Sequence, residues 1–144
     1  AAIDAEADRL ATVDQDAILA DPAYRSFHHD HHSYLARGRY LEHVQPWLDL
    51  FPRRQLLIMS AERLFTEPAA AFEEVESFLG LAHFDGLDLQ PYNQRSRPKM
   101  APETYQRLVD YYRPHNAALN AALGQDFGWE DGYRRWLSDT EDSR

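Results

Sequence analysis

The sequence holds no cysteine, so it can build no disulfide framework, no thiolate metal site and no cysteine nucleophile. A reducing compartment, the cytoplasm, is the location that this composition suits. No apolar run approaches the roughly 20 residues that a membrane-spanning helix needs. Residues 1–10 lack a basic stretch followed by an apolar core, so no signal peptide is expected. Lysine is nearly missing: of 15 basic residues only Lys99 is a lysine, the rest being arginine. Basic residues are outnumbered by 24 acidic ones, and the net charge of −9 excludes general binding to nucleic acid, which needs a positive field. Glycine is scarce as well. With six glycines there is no GxxxxGK[ST] pattern and no glycine-rich turn between strand and helix near the start.

What is present reads as one globular domain over residues 1–144, with residues 139–144 as a mobile tail. Hydrophobic residues at 44 % and aromatics at 12 % give enough apolar material for one core. Residues 3–20 carry a loose helical pattern, interrupted around residues 12–16 and ended by Asp21-Pro22. Residues 22–35 are rich in aromatics and histidine without clean periodicity, and read as a loop leading into a helix.

Stronger signals follow. Tyr40, Val44, Trp47, Leu48 and Phe51 form one apolar stripe, which predicts a helix over residues 35–50 with a kink near Glu42 caused by Pro46. Leu56, Leu57, Ile58 and Met59 are four apolar residues without alternation, the pattern of a strand buried on both faces of a parallel sheet. Thr66 is the expected N-cap of the next helix, Pro68 its first turn and Gly80 its stop. A long loop spans residues 80–101. Pro102 opens a helix that Pro114 breaks or kinks, and Gly124 stops the last helical stretch. Trp47, Phe72, Phe78, Tyr105, Leu108, Tyr111 and Tyr112 are the expected core. A lone strand leaves its backbone groups without a ladder partner, so strand partners are expected in sequence beyond this chain.

The order of these elements resembles sulfotransferases that use 3'-phosphoadenosine 5'-phosphosulfate (PAPS), bacterial and heparan-sulfate-type members above all. The resemblance rests on Arg37, Gly38 and Tyr40, then Trp47, the strand 56–59, Glu62, Pro68 and Phe78-Leu79-Gly80-Leu81. It continues through Arg95, Ser96, Arg97, Pro98 and Met100 to Leu108, Tyr111, Tyr112, His115 and Asn116. It covers roughly residues 33–129. It implies an α/β fold, the P-loop NTPase-like three-layer sulfotransferase fold, represented here by a mostly helical C-terminal part with one buried parallel strand. It also implies that the N-terminal half of the domain, which carries the 5'-phosphosulfate loop and the usual catalytic base, lies outside this chain. The chain alone is then expected to be inactive. Ala61 and Arg39 depart from the family pattern, where tyrosine and, in heparan-type members, tryptophan occur.

The candidate site residues fall into two groups. Leu89 to Pro102 contains no acidic residue, while Arg95, Arg97 and Lys99 lie close together. Arginine forks clamp phosphate through paired donors and lysine adds a point charge. With Ser96, these residues are implied to bind the 3'-phosphate and adenosine side of PAPS. Arg37, Gly38, Arg39 and Tyr40 are candidate acceptor contacts, and His43 is a candidate for acceptor binding or proton removal. Each of these also suits plain packing or surface charge. The run His28, His29, Asp30, His31, His32 allows a metal pair at i, i+4, yet shows no third ligand, and no metal is expected. Three functions follow: sulfuryl transfer from PAPS to a hydroxyl or amine of a small molecule or glycan; a non-catalytic helical binding module completed by a partner chain or a second copy; and a histidine-metal hydrolase.

Overall fold

A computed structural model describes residues 2–90, 100–130 and 132. The cationic positions Arg95, Ser96, Arg97 and Lys99, the aromatics Tyr133 and Trp136, and the tail 139–144 lie outside the described residues. Among the described residues all regular structure is helical: α1 (Glu6–Leu10), α2 (Gln15–Ala20), α3 (Phe27–His32), a 3-10 turn (Ala36–Gly38), α4 (Tyr40–Leu50), a second 3-10 turn (Arg53–Gln55), α5 (Ala61–Thr66), α6 (Pro68–Leu79) and α7 (Pro102–Leu123).

The expected α/β fold with one buried parallel strand is therefore corrected. Leu56 is extended (φ −119°, ψ 115°), but residues 56–59 pair with no other segment among the described residues and are half-buried. The apolar run encodes extended backbone, whereas a strand exists only through ladder hydrogen bonds to a neighbour.

Other boundaries move for local reasons. The helix expected over 35–50 is split, because Arg39 leaves the helical region (φ −84°, ψ 67°) between the 3-10 turn and α4. Thr66 does not cap α6: its hydroxyl donates to the Glu62 carbonyl at 3.1 Å as the last residue of α5. Ser60, unassigned in the sequence reading, caps α5 by accepting from the Arg63 N–H at 3.2 Å. Likewise Ser26 caps α3, inside the expected loop. α7 is continuous through Pro114, so of the expected break or kink the break does not occur. Proline there leaves one carbonyl without its helical donor, and the remaining turns carry the helix.

Several stops match expectation. Gly80 adopts a left-handed conformation (φ 67°), which lets the Leu81 N–H reach back to the Glu76 carbonyl at 2.9 Å. Gly124 does the same for α7 (φ 62°), with Gln125 N–H donating to Asn120 at 3.2 Å. Both are left-handed C-terminal caps, where a side chain would be strained.

Contacts divide the chain into two compact units. The first comprises residues 1–44 and 108–125, the second residues 45–107 and 126–144. In the first, Leu119 is buried, and so are two polar residues, Glu6 and Ser33. In the second, Ala71 and Glu76 are buried, while much of the expected core is not: Trp47 is 57 % and Phe78 40 % exposed. On the α4 stripe Val44 and Leu48 are half-buried, while Tyr40, Trp47 and Phe51 stay exposed. Trp47 stacks on Phe51, with ring centroids 5.9 Å apart.

Glu76 organises the end of α6. Its carboxylate accepts from the backbone N–H of Phe84 at 3.0 Å and from Nδ1 of His83 at 2.8 Å. Nε2 of His83 faces Asp85 at 2.9 Å, so the imidazole lies between two carboxylates. The hydrogen bond to Glu76, aided by the charge of Asp85, raises the His83 pKa above the ordinary 6.5. The bridge is complete when His83 is protonated. Its contribution is fully present below pH 6.5, the value in the unfolded chain, and is lost as pH rises through the higher folded value. His83 should titrate above 6.5 by proton NMR, and the stability difference between wild type and His83→Ala should shrink from pH 6 to pH 9. A midpoint at or below 6.5 would contradict the bridge.

Candidate functional site

Four segments of the first unit converge on the short stretch 33–39. From α1, the buried carboxylate of Glu6 accepts two backbone N–H groups, from Leu35 at 2.7 Å and Ala36 at 3.0 Å. These are the free donors at the start of the 3-10 turn, and a carboxylate is the strongest acceptor a side chain can offer them. From α7, the Tyr112 hydroxyl donates to the Leu35 carbonyl at 3.1 Å. From α4, Nε2 of His43 approaches the Ala36 carbonyl at 3.3 Å. From the end of α3, the Ser33 hydroxyl donates to the His29 carbonyl at 2.5 Å. Burial, reinforced by Tyr111 and Glu6, raises the Tyr112 pKa above 10.0, which keeps its hydroxyl a donor.

Gly38 is required by this packing. An added Cβ would lie 2.5 Å from the Tyr112 ring and hydroxyl. The glycine of the Arg-Gly-x-Tyr sequence is there because an aromatic ring occupies its side-chain space.

The acceptor-side candidates Arg37, Gly38, Arg39, Tyr40 and His43 thus share one turn and the start of one helix. Arg37 donates from its guanidinium to the Asp30 carbonyl. Arg39 pairs with Glu42 at 3.2 Å, while its buried Nε has no acceptor among the described residues. A carbonyl can only accept, so His43 carries its proton on Nε2, and in the neutral ring Nδ1 holds the lone pair. Glu6 and Tyr112 were not anticipated as parts of this turn. Glu6 lies in a weakly periodic segment, and Tyr112 in an aromatic set that reads as core; only the fold shows which backbone they hold.

On α3, His28 and His32 do share a face, with their Nδ1 atoms 3.0 Å apart. Partial burial, then the charge of Arg9, lowers the His32 pKa below 6.5. Among the described residues no group of three or more His, Cys, Asp or Glu is arranged to hold a metal ion. In the second unit, a groove of about 290 Å³ is lined by Phe72, Phe84, Leu87 and Leu89, with Glu73 and Asp85 among its lining residues. Those carboxylates repel phosphate, so the groove does not suit a phosphonucleotide.

A turn built on Arg-Gly-x-Tyr, a helix opened by Pro68 and closed at Gly80, and the helix bearing Tyr111 and Tyr112 stand in the order on which the resemblance to sulfotransferases rests. The sulfotransferase domain family matches residues 11–111, and the chain belongs to that family. Among curated relatives, heparan sulfate glucosamine 3-O-sulfotransferase 3B1 of Mus musculus is 32% identical over 117 residues, covering 65% of this chain and 30% of that protein. The membrane-associated sulfotransferase kil1 of Dictyostelium discoideum is 31% identical over 97 residues, 67% of this chain and 21% of that protein. The bifunctional heparan sulfate N-deacetylase/N-sulfotransferase 2 of Homo sapiens is 32% identical over 114 residues, 63% of this chain and 13% of that protein. The chain therefore spans at most about a third of the length of these relatives.

Proposed function

We propose that the chain is the C-terminal part of a single sulfotransferase domain that transfers a sulfuryl group from PAPS to a hydroxyl or amine of an acceptor. The family match over residues 11–111 carries this reading. A glycan acceptor is favoured over other small molecules, since the relatives named for a substrate act on heparan sulfate. Absence of cysteine suits a reducing compartment such as the cytoplasm.

The donor set fits PAPS by its chemistry. Arg95, Arg97 and Lys99 match a 3'-phosphate in charge, and Ser96 adds a hydroxyl donor. PAPS supplies the activated sulfuryl group. On the acceptor side, Arg37, Arg39 and Tyr40 present donors along one turn, and Gly38 keeps that turn against Tyr112. His43 would take the acceptor proton on Nδ1, a reading supported by its Nε2 lying against the Ala36 carbonyl. Transfer would then rest on positioning and on cationic stabilisation of the transferred group's charge. In this reading residues beyond this chain would complete the site and cover the exposed apolar residues Trp47, Phe65 and Phe78 and the stretch 56–59, which is unpaired among the described residues. The binding-module and metal-hydrolase readings lack a comparable observation.

Arg95→Ala in the native-length protein should weaken binding of 3'-phosphoadenosine 5'-phosphate by about 10- to 100-fold, the effect of losing one or two charge-assisted hydrogen bonds. Titration calorimetry measures this directly. Unchanged affinity would remove the loop from the nucleotide site, and absence of nucleotide affinity in the wild type would remove the transferase reading.

A further inference from the structure

We infer that Glu6 is a positioning residue for the acceptor side of the site, acting through the backbone of the Arg37–Tyr40 turn rather than by touching substrate. The inference rests on the transferase reading above and goes beyond it, since Glu6 lies outside the matched residues 11–111.

Glu6 is 5 % exposed, and a carboxylate that far from water must be compensated by donors. Its two oxygens are matched one to one with two adjacent backbone N–H groups, on Leu35 and Ala36. Those amides begin the 3-10 turn whose last residue is Gly38. Two adjacent amides held by one rigid carboxylate fix the orientation of the peptide plane between them, not only its distance. The neighbouring groups are fixed from the other side: Tyr112 takes the Leu35 carbonyl and His43 takes the Ala36 carbonyl. Leu35 and Ala36 thus have both N–H and C=O bound by side chains from other elements. Arg37, Arg39 and Tyr40 extend from this backbone, and a small misplacement of positioning groups is costly in catalysis.

The carboxylate is chemically specific here. Glutamine keeps the shape and one acceptor, but its amide nitrogen is a donor facing an N–H. Glu6→Gln should therefore release one amide while leaving the packing volume unchanged.

The test uses the native-length protein with PAPS as donor and a heparan sulfate oligosaccharide as acceptor. In Glu6→Gln, hydrogen exchange at Leu35 or Ala36 should accelerate by about tenfold or more. The KM for the oligosaccharide should rise by a similar factor of about ten while the KM for PAPS stays unchanged. Leu119→Ala serves as the control, because it removes a buried side chain of the same unit that makes none of the hydrogen bonds to the turn. It should lower stability and leave the acceptor KM in place. Unchanged exchange at both amides in Glu6→Gln would overturn the latch itself. Faster exchange with an unchanged acceptor KM, or an equal KM rise in Leu119→Ala, would overturn the positioning role alone. Absence of transfer by the wild type would overturn the glycan transferase reading together with the role built on it.

Discussion

Gly38→Ala is expected to destabilise the first unit by about 2–4 kcal/mol. The added methyl group would meet the Tyr112 ring at 2.5 Å, against the 3.5–4.0 Å at which carbon atoms attract. Ring and turn must separate by about an ångström, and overpacking of this kind costs about 1–3 kcal/mol. The same movement takes the Tyr112 hydroxyl from the Leu35 carbonyl, which adds about 1 kcal/mol. Urea denaturation monitored by tyrosine fluorescence would measure the loss. A second substitution decides the cause. Tyr112→Leu empties the space above Gly38, so in that background Gly38→Ala should cost at least about 1 kcal/mol less than in the wild type. Additive effects would show that the ring and the glycine do not oppose each other.

Glu76→Ala is expected to cost a similar amount, about 2–4 kcal/mol, in the second unit. The carboxylate is 6 % exposed and serves the Phe84 N–H and the His83 ring together. Truncation leaves a backbone donor without a partner, at about 1–3 kcal/mol, and removes a charge-assisted bond. Glu76→Gln should cost less, because it retains an acceptor for the Phe84 amide, yet it should bring the His83 titration back toward 6.5. Amide exchange at Phe84 separates the two variants. If Phe84 exchanges equally in wild type and Glu76→Ala, the carboxylate does not hold the segment after α6.

Much of the helical plan was legible because its signals are local. Pro68, Gly80, Pro102 and Gly124 act through their own backbone preferences, and each stands where a helix starts or ends. Ser60 and Ser26 were missed although they use the same chemistry, since serine is common and caps only where the chain already turns. Pro114 points the other way: its penalty is real, but 22 residues of α7 outweigh it. The strand expected at 56–59 failed for a non-local reason. Apolar, extended backbone is written in Leu56 to Met59, and a ladder is written in two segments at once.

The turn at residues 33–39 was half legible. Arg37, Gly38, Tyr40 and His43 announce themselves by spacing and by family resemblance. The residues that hold them do not, because a glutamate 29 residues upstream and a tyrosine 77 residues downstream of Leu35 have no periodic relation to it. Glu76 is similar in kind: its position on the buried side of α6 is set by helical spacing, but its two partners lie in an irregular segment.

The spacing of those partners sets an order of events during synthesis. Ala36 can meet Glu6 once the 30 residues that follow Glu6 have emerged, but the Leu35 carbonyl receives its hydroxyl only after Tyr112 has been made, 77 residues beyond Leu35. Long-range closures of this sort are the slow steps of folding. The nascent chain therefore carries the Arg-Gly-x-Tyr segment tied on one side only, and its final shape waits for α7.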